Sequence, residues 1–272
     1  MDLSLDLFAG RLALMNLNIQ NQNVIVFGAG RGIGKAIADA FSEEGARVCR
    51  ADLNPDESPD SATVDIADFE SVRELSGKIA TEWGGIDHVV CAAAIGSGKF
   101  GFPFWNLDPS DWKRVLEISL MGTVNVAHAV APFLQEGESR RKTILFLTSV
   151  AGQIGSQTDP PYSAAKAGVI NFMQGAAKDF SPFGVRVNAL SPGMVKTDLN
   201  QSVWASTQEG LPEDARKSYD EWAEEKIAGI APLARWQTPE EFGAMAVYLA
   251  SDHAKNITGQ TLNIDGGQVM HS

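Results

Sequence analysis

The sequence predicts an α/β fold, a doubly wound parallel sheet with helices on both faces. Two observations carry this reading. Apolar runs rich in Val, Ile and Leu are continuous rather than alternating, as in strands covered on both faces. These runs alternate down the whole chain with longer segments of helical period. At 272 residues the chain suits one such domain over 23–272, with an arm over 1–22 ahead of it.

Strands are expected at NVIVFG (23–28), ARVCRAD (46–52), IDHVVCA (86–92), KTILFLTS (142–149), VRVNAL (185–190) and QTLNID (260–265). Helices are expected at 33–44, 68–83, 109–134, 161–181 and 238–250. Some carry opening signals: Asp68, Asp108-Pro109 and Thr238-Pro239-Glu240-Glu241. Residues 1–22 show no clear period and read as an arm packed on the domain or on a neighbour. The stretch 194–231 is too long for a simple connection, which indicates a functional lid or a disordered insert. Trp204, Trp222 and a helix expected at 213–228 favour the lid.

Charge narrows the partners. Lys plus Arg number 22 against 34 Asp plus Glu, a net −12. Such a surface repels phosphate backbones, which argues against nucleic acid and anionic membrane. Two cysteines, Cys49 and Cys91, lie in apolar segments and suit a reducing cytoplasm. The start, MDLSLDLFAG, lacks the basic region of a secretory signal, and no segment is expected to span a bilayer. Four scattered histidines without ligand spacing make a metal site improbable.

The first strand runs through Gly28-Ala29-Gly30-Arg31-Gly32-Ile33-Gly34 into a helix. Glycines permit a tight turn and close backbone approach to a diphosphate, and the helix N-terminus offers N–H groups to the negative charge. That placement points to a dinucleotide. Asp52, followed by Leu53, ends the second strand, where a carboxylate accepts from the adenosine ribose hydroxyls and repels a 2′-phosphate. NAD is therefore expected over NADP, with Arg31 and Arg50 as the groups that would argue otherwise. Asp65 and the Ile66 backbone are placed to meet the adenine amino group.

Tyr162-Ser163-Ala164-Ala165-Lys166 sets a phenol and an ammonium on one helix face. A phenol titrates near ~10, and a neighbouring ammonium lowers that value and makes it usable as a general acid–base. Ser149, at the end of the preceding strand, is placed to hydrogen-bond the substrate oxygen.

The glycine turn, Ser149, Tyr162-x-x-x-Lys166, Asn188-Ala189-Leu190-Ser191-Pro192-Gly193 and Asp265-Gly266-Gly267 together resemble the short-chain dehydrogenase/reductase family, in its order and spacing from about residue 23 to 268. The resemblance implies a seven-stranded Rossmann sheet, a nicotinamide cofactor and hydride transfer between an alcohol and a carbonyl. It makes Tyr162 the acid–base and Ser149 the orienter of the substrate oxygen. Lys166 lowers the tyrosine pKa and holds the nicotinamide ribose. Pro192, Val195 and Thr197 line the nicotinamide, and tetramers through the two long central helices are common.

Three departures stand out. Phe27 replaces the usual Thr before the glycines. Cys91-Ala92-Ala93-Ala94 replaces Asn-Asn-Ala-Gly, keeping Ala92 and Ala93 small beside the cofactor. Ser119 stands where the family has an Asn that supports a water linking the lysine to solvent, so a modified relay through the serine hydroxyl is expected.

Substrate contacts are expected from Ser149, Tyr162, Gly193, Trp204 and the segment 94–105. Phe100, Phe102, Phe104, Trp105, Trp204 and Trp222 either pack lid and interface or form a pocket for ring or polyol carbons. The lid stretch from Asp198 to Lys226 holds eight acids against three bases, a field that disfavours polyanions. A small neutral alcohol or ketone (polyol, sugar or cyclic alcohol) is favoured over a 3-oxoacyl thioester. Two other classes stand beside this: a nucleotide-binding sensor with vestigial catalysis, and a lyase or epimerase using the same tyrosine.

Overall fold

A computed structural model describes residues 16–99, 103–136, 141–196, 198–209 and 211–270. The apolar runs become β1 (Asn23–Phe27), β2 (Arg47–Asp52), β3 (Ser61–Thr63), β4 (His88–Cys91), β5 (Thr143–Leu147), β6 (Arg186–Pro192) and β7 (Thr261–Ile264). All pair in parallel in one sheet of order β3-β2-β1-β4-β5-β6-β7. Six of these strands coincide with the expected ones. The short edge strand β3 has no apolar run to announce it, because its Ser-Ala-Thr is partly exposed.

The helices are α1 (Gly32–Glu43), α2 (Phe69–Trp83), α3 (Pro109–Leu116), α4 (Gly122–Gln135), α5 (Ala151–Ile154), α6 (Pro160–Phe180), α7 (Asp198–Gln208), α8 (Tyr219–Ile230) and α9 (Pro239–Ala250). Successive strand residues enter opposite layers. Ile25, Phe27, Val89 and Phe146 pack with Val72, Val130 and Val169 of α2, α4 and α6. Val24, Val26, Val90 and Leu145 pack with Phe41 and Phe242 of α1 and α9. Both faces are covered, which is why the strands read as unbroken apolar runs.

The helix expected at 109–134 forms as α3, a π turn over Glu117–Met121 and α4. At 27 residues it has the length and apolarity to cross a membrane, against the expectation that no segment would. Its Val126, Val130 and Leu134 are buried in the sheet layer, so it serves here as a core helix. The lid stretch is helical, as α7, unanticipated, and α8, capped by Ser218 and Glu221. Of the arm, Ile19 enters the core and Asn16 contacts His253 at 3.1 Å, so residues 16–22 pack on this chain's own domain.

Candidate active site at the carboxyl edge of the sheet

β1 and β4 are neighbours whose onward connections leave in opposite directions, which opens a crevice at their carboxyl ends. The crevice is a cavity of about 420 Å³. Most of the sequence-chosen residues line it: Gly28, Arg31, Ile33, Gly34, Asp52, Leu53, Asp65, Ile66, Ala92, Ala93, Ser149, Tyr162, Lys166, Pro192, Gly193 and Val195. Thr197 lies outside the described residues.

Two glycines are demanded by close packing. At Gly28, φ is +85° and a Cβ would stand 2.4 Å from the Ala93 nitrogen; at Gly34 it would stand 2.0 Å from the Gly28 carbonyl oxygen. Gly32, at φ +56°, turns the chain into α1 without lining the cavity. Asp52 accepts from Gly30 N–H and Asn54 N–H, both at 2.9 Å, and so ties β2 to the glycine turn. Arg50 points elsewhere: it pairs with Asp39 of α1 at 2.6 Å. The loop after β3 is fastened by Asn125, which donates to the Ile66 carbonyl at 2.9 Å.

Tyr162 and Lys166 come from the first two turns of α6, whose N-terminus is set by Asp159 and Pro160. Asp159 also accepts the Ser97 N–H at 2.7 Å, joining this helix to the 92–99 loop. Burial pushes the Tyr162 phenol up to about 12, opposed by the neighbouring Ser149 hydroxyl and reinforced by Asp159. Burial also brings the Lys166 ammonium down to about 8. The ammonium donates to the Leu147 carbonyl at 2.5 Å and lies 5.5 Å from the Tyr162 ring centre. Burial therefore outweighs the expected lowering of the phenol by the lysine in this arrangement.

Ser119 departs from its expected role. Its hydroxyl accepts the Ile95 N–H and donates to the Ile95 carbonyl, each at 2.9 Å. A hydroxyl has one proton to donate, and here it goes to the loop beside the cavity. Trp204 also departs. It is absent from the cavity lining, and its indole N–H donates to the Lys217 carbonyl at 3.0 Å. Its ring meets Tyr219, which stacks on Trp222, which in turn meets Trp236. Phe104 and Trp105 line a separate groove with Pro160 and Ala164. Phe100 and Phe102 lie outside the described residues. The described aromatics thus pack the lid and a second surface, and none but Tyr162 lines the cavity.

Asn54, Val64, Arg114, Ile118 and Asn200 line the cavity without having been singled out by sequence. Only Ile118 had a signal, its place beside Ser119; the others carry no motif.

The chain matches the family model described as enoyl-(acyl carrier protein) reductase over residues 28–269. It is 33% identical to acetoacetyl-CoA reductase of Synechocystis sp., over 93% of this chain and 98% of that protein. It is 34% identical to cis-4-hydroxycyclohexanecarboxylate dehydrogenase of Sinomonas cyclohexanicum, over 89% and 94%. Ligand-free aldohexose dehydrogenase of Thermoplasma acidophilum superposes with a TM-score of 0.83 at 26% identity, over 94% of this chain and 97% of that one. With this sheet order and this match along nearly its whole length, the chain belongs to the short-chain dehydrogenase/reductase family of nicotinamide-dependent oxidoreductases.

Proposed function

We propose that the protein is an NAD-dependent dehydrogenase or reductase of a small neutral secondary alcohol or ketone, with a polyol, sugar or cyclic alcohol favoured. The observation that carries this is the presence of Ser149, Tyr162 and Lys166 in the same cavity as the glycine turn and Asp52. The residues present suit a dinucleotide. The Gly28–Gly34 contact leaves a floor of bare backbone, and α1 begins without a side-chain cap on its N–H groups. Asp52 and Leu53 would meet the adenosine ribose, Asp65 and Ile66 the adenine, and Pro192, Val195 and Thr197 the nicotinamide. NAD is favoured because the Asp52 charge opposes a 2′-phosphate while Arg50 is engaged by Asp39.

The bound cofactor supplies the carbon that takes or gives hydride. Tyr162 holds the proton at its phenol oxygen and, protonated at neutral pH, is set to donate it to a carbonyl oxygen in reduction. For alcohol oxidation the same oxygen must first lose that proton, which the Lys166 charge and the Ser149 hydrogen bond favour. Ser149 orients the substrate oxygen. Ser119 holds Ile95, and through it the Ala92–Ala94 wall, in place.

A second reading, a 3-oxoacyl thioester reductase, is favoured by the likeness to acetoacetyl-CoA reductase and by the family model's description. Against it, the lid contributes no basic residue to the cavity lining among the described residues. Purified protein assayed with polyols, sugars, cyclic alcohols and coenzyme A thioesters, each with NAD and NADP, decides between them. Tyr162→Phe should lose turnover by about a thousandfold while still binding NADH. Stronger turnover of thioesters at low salt would favour the second reading. NADH binding without turnover of any substrate would favour the sensor.

We further propose that residues 23–272 act as one catalytic domain with a lid over about 194–231, and that the protein works in the cytoplasm. Its buried free thiols Cys49 and Cys91 suit a reducing compartment. It should assemble as a homotetramer or homodimer through the long central helices; light scattering that gives a monomer at micromolar concentration would overturn this. Nucleic acid and membrane are not proposed as partners, given the net charge of −12.

A further inference from the structure

The helix running from Pro109 through the π turn to Gln135 presents one stripe to the loop after β3. Asn125 donates to the Ile66 carbonyl, and a Cβ on Gly122 would stand 2.6 Å from the Ile66 Cδ1, so these positions seat the loop. Ile118 and Arg114 continue the stripe towards the N-terminus in steps of four, on the same face. Both line the crevice together with Val64, Asp65 and Ile66. Arg114 is exposed at the rim, and its guanidinium makes no hydrogen bond or ion pair with a described residue.

Two carboxylates at this end accept from backbone, and neither pairs with the Arg114 guanidinium. Asp52 accepts from Gly30 and Asn54, and Asp65 accepts the Ala67 N–H at 2.9 Å. The guanidinium is thus left to a ligand. Guanidinium is planar and weakly hydrated, and it stacks on aromatic faces where an ammonium would stay in water.

We infer that Arg114 is a binding residue for the adenine base, its guanidinium covering one face of the base from the helix side. The inference rests on the dinucleotide reading of the crevice and deepens it. Location separates this role from a 2′-phosphate clamp. Arg114 belongs to the stripe that faces Ile66, on the adenine side, whereas the ribose hydroxyls belong to Asp52 at the end of β2. Val64 and Ile118 supply the apolar surroundings in which such stacking gains most.

Calorimetric titration of AMP, nicotinamide mononucleotide, NADH and 2′,5′-ADP into the wild-type protein, Arg114→Ala and Arg114→Lys tests this. Arg114→Ala should weaken AMP and NADH by about 3- to 10-fold and leave nicotinamide mononucleotide unchanged, with Arg114→Lys recovering only part. The loss should persist at about 0.5 M NaCl, where a simple attraction to phosphate is screened. Equal melting temperatures of the variants confirm that folding is intact, as expected for a rim side chain. Unchanged AMP affinity in Arg114→Ala overturns the inference, as does a loss confined to 2′,5′-ADP or abolished by salt. Failure of the wild-type protein to bind either AMP or NADH defeats the dinucleotide reading itself, and the inference with it.

Discussion

Replacing Ser119 with Ala tests whether this residue works through position or through proton transfer. Ser119 is fully buried, and its hydroxyl satisfies both the N–H and the C=O of Ile95 at 2.9 Å. The substitution leaves two peptide groups unpaired. An unsatisfied buried group costs about 1–3 kcal/mol; Ile95 is only half-buried, so about 1 kcal/mol each, or about 2 kcal/mol in all, is the appropriate scale. For a chain of this size that lowers Tm by about 4–8 °C. Ile95 adjoins the Ala92–Ala94 wall of the cavity, so the cofactor KM should rise while kcat at saturation stays within a few-fold. Scanning calorimetry and steady-state kinetics across pH read both effects. An unchanged Tm with a depressed and pH-shifted kcat would refute the positioning role and restore the proton relay.

Four further outcomes follow from the same geometry. Gly34→Ala would drive a Cβ to 2.0 Å from the Gly28 carbonyl oxygen, and overpacking of about 1–3 kcal/mol should weaken NADH by about 5- to 150-fold in fluorescence titration; normal affinity would mean that the turn does not carry the diphosphate. Asp52→Ala removes the charge facing the ribose and should raise the NADP-to-NAD ratio of kcat/KM by at least about fivefold, the worth of one repelled charge in water; no change in the ratio would refute the assignment. Carbonyl reduction should decline as pH rises through about 8, where Lys166 loses its proton, while Tyr162, pushed up to about 12, stays protonated; a profile flat to about pH 10 would contradict this. Burial beside Arg186 brings His88 down to about 3 in the fold, against about 6.5 unfolded. The unfolded chain therefore takes up the proton first, and stability falls as pH drops below about 6.5, by about 2 kcal/mol at pH 5. Thermal melts of His88→Gln should lose that part of the slope, and parallel slopes would exclude His88 as its source.

The sheet was legible because residues buried on both faces must be apolar whichever way they point. Val24 and Ile25 enter different layers, yet both have to be hydrophobic. β3 was not legible, because a three-residue edge strand buries too little to leave a pattern. In the cavity lining, Gly28, Gly34, Asp52, Ser149, Tyr162 and Lys166 could be read because the motifs that hold them name few other side chains there. Arg114 and Asn200 could not: nothing local marks them, and only the packing of α4, which continues α3 through the π turn, against the loop after β3, or the bond of α7 to Val195, brings them to the cavity. Trp204 misled for a related reason. Aromatic density says that a surface is to be covered, not which surface, and here the ring is used within the lid.

The same division explains why reaction class and substrate part company in this family. Ser149 follows β5, and Tyr162 and Lys166 stand on α6, elements packed into the sheet core. The proposed substrate end is bounded instead by the loop after β4 and by the helical stretch after β6, which lie outside the sheet and are fastened to the core by a few side-chain contacts such as Ser119–Ile95 and Asp159–Ser97. There the chain can change without disturbing Ser149, Tyr162 and Lys166. Relatives named for an acyl thioester and for a cyclic alcohol, together with a structure of an aldohexose dehydrogenase, are accordingly all similar to this one chain across nearly its whole length. Within this chain the described acids of the stretch after β6, from Glu209 onward, are exposed and partly engaged, Glu221 at the α8 cap and Glu225 with Lys217. None of them lines the cavity, so on the proposed reading they would meet a substrate through their field at the approach, and their influence should appear in the salt dependence of KM and not in kcat.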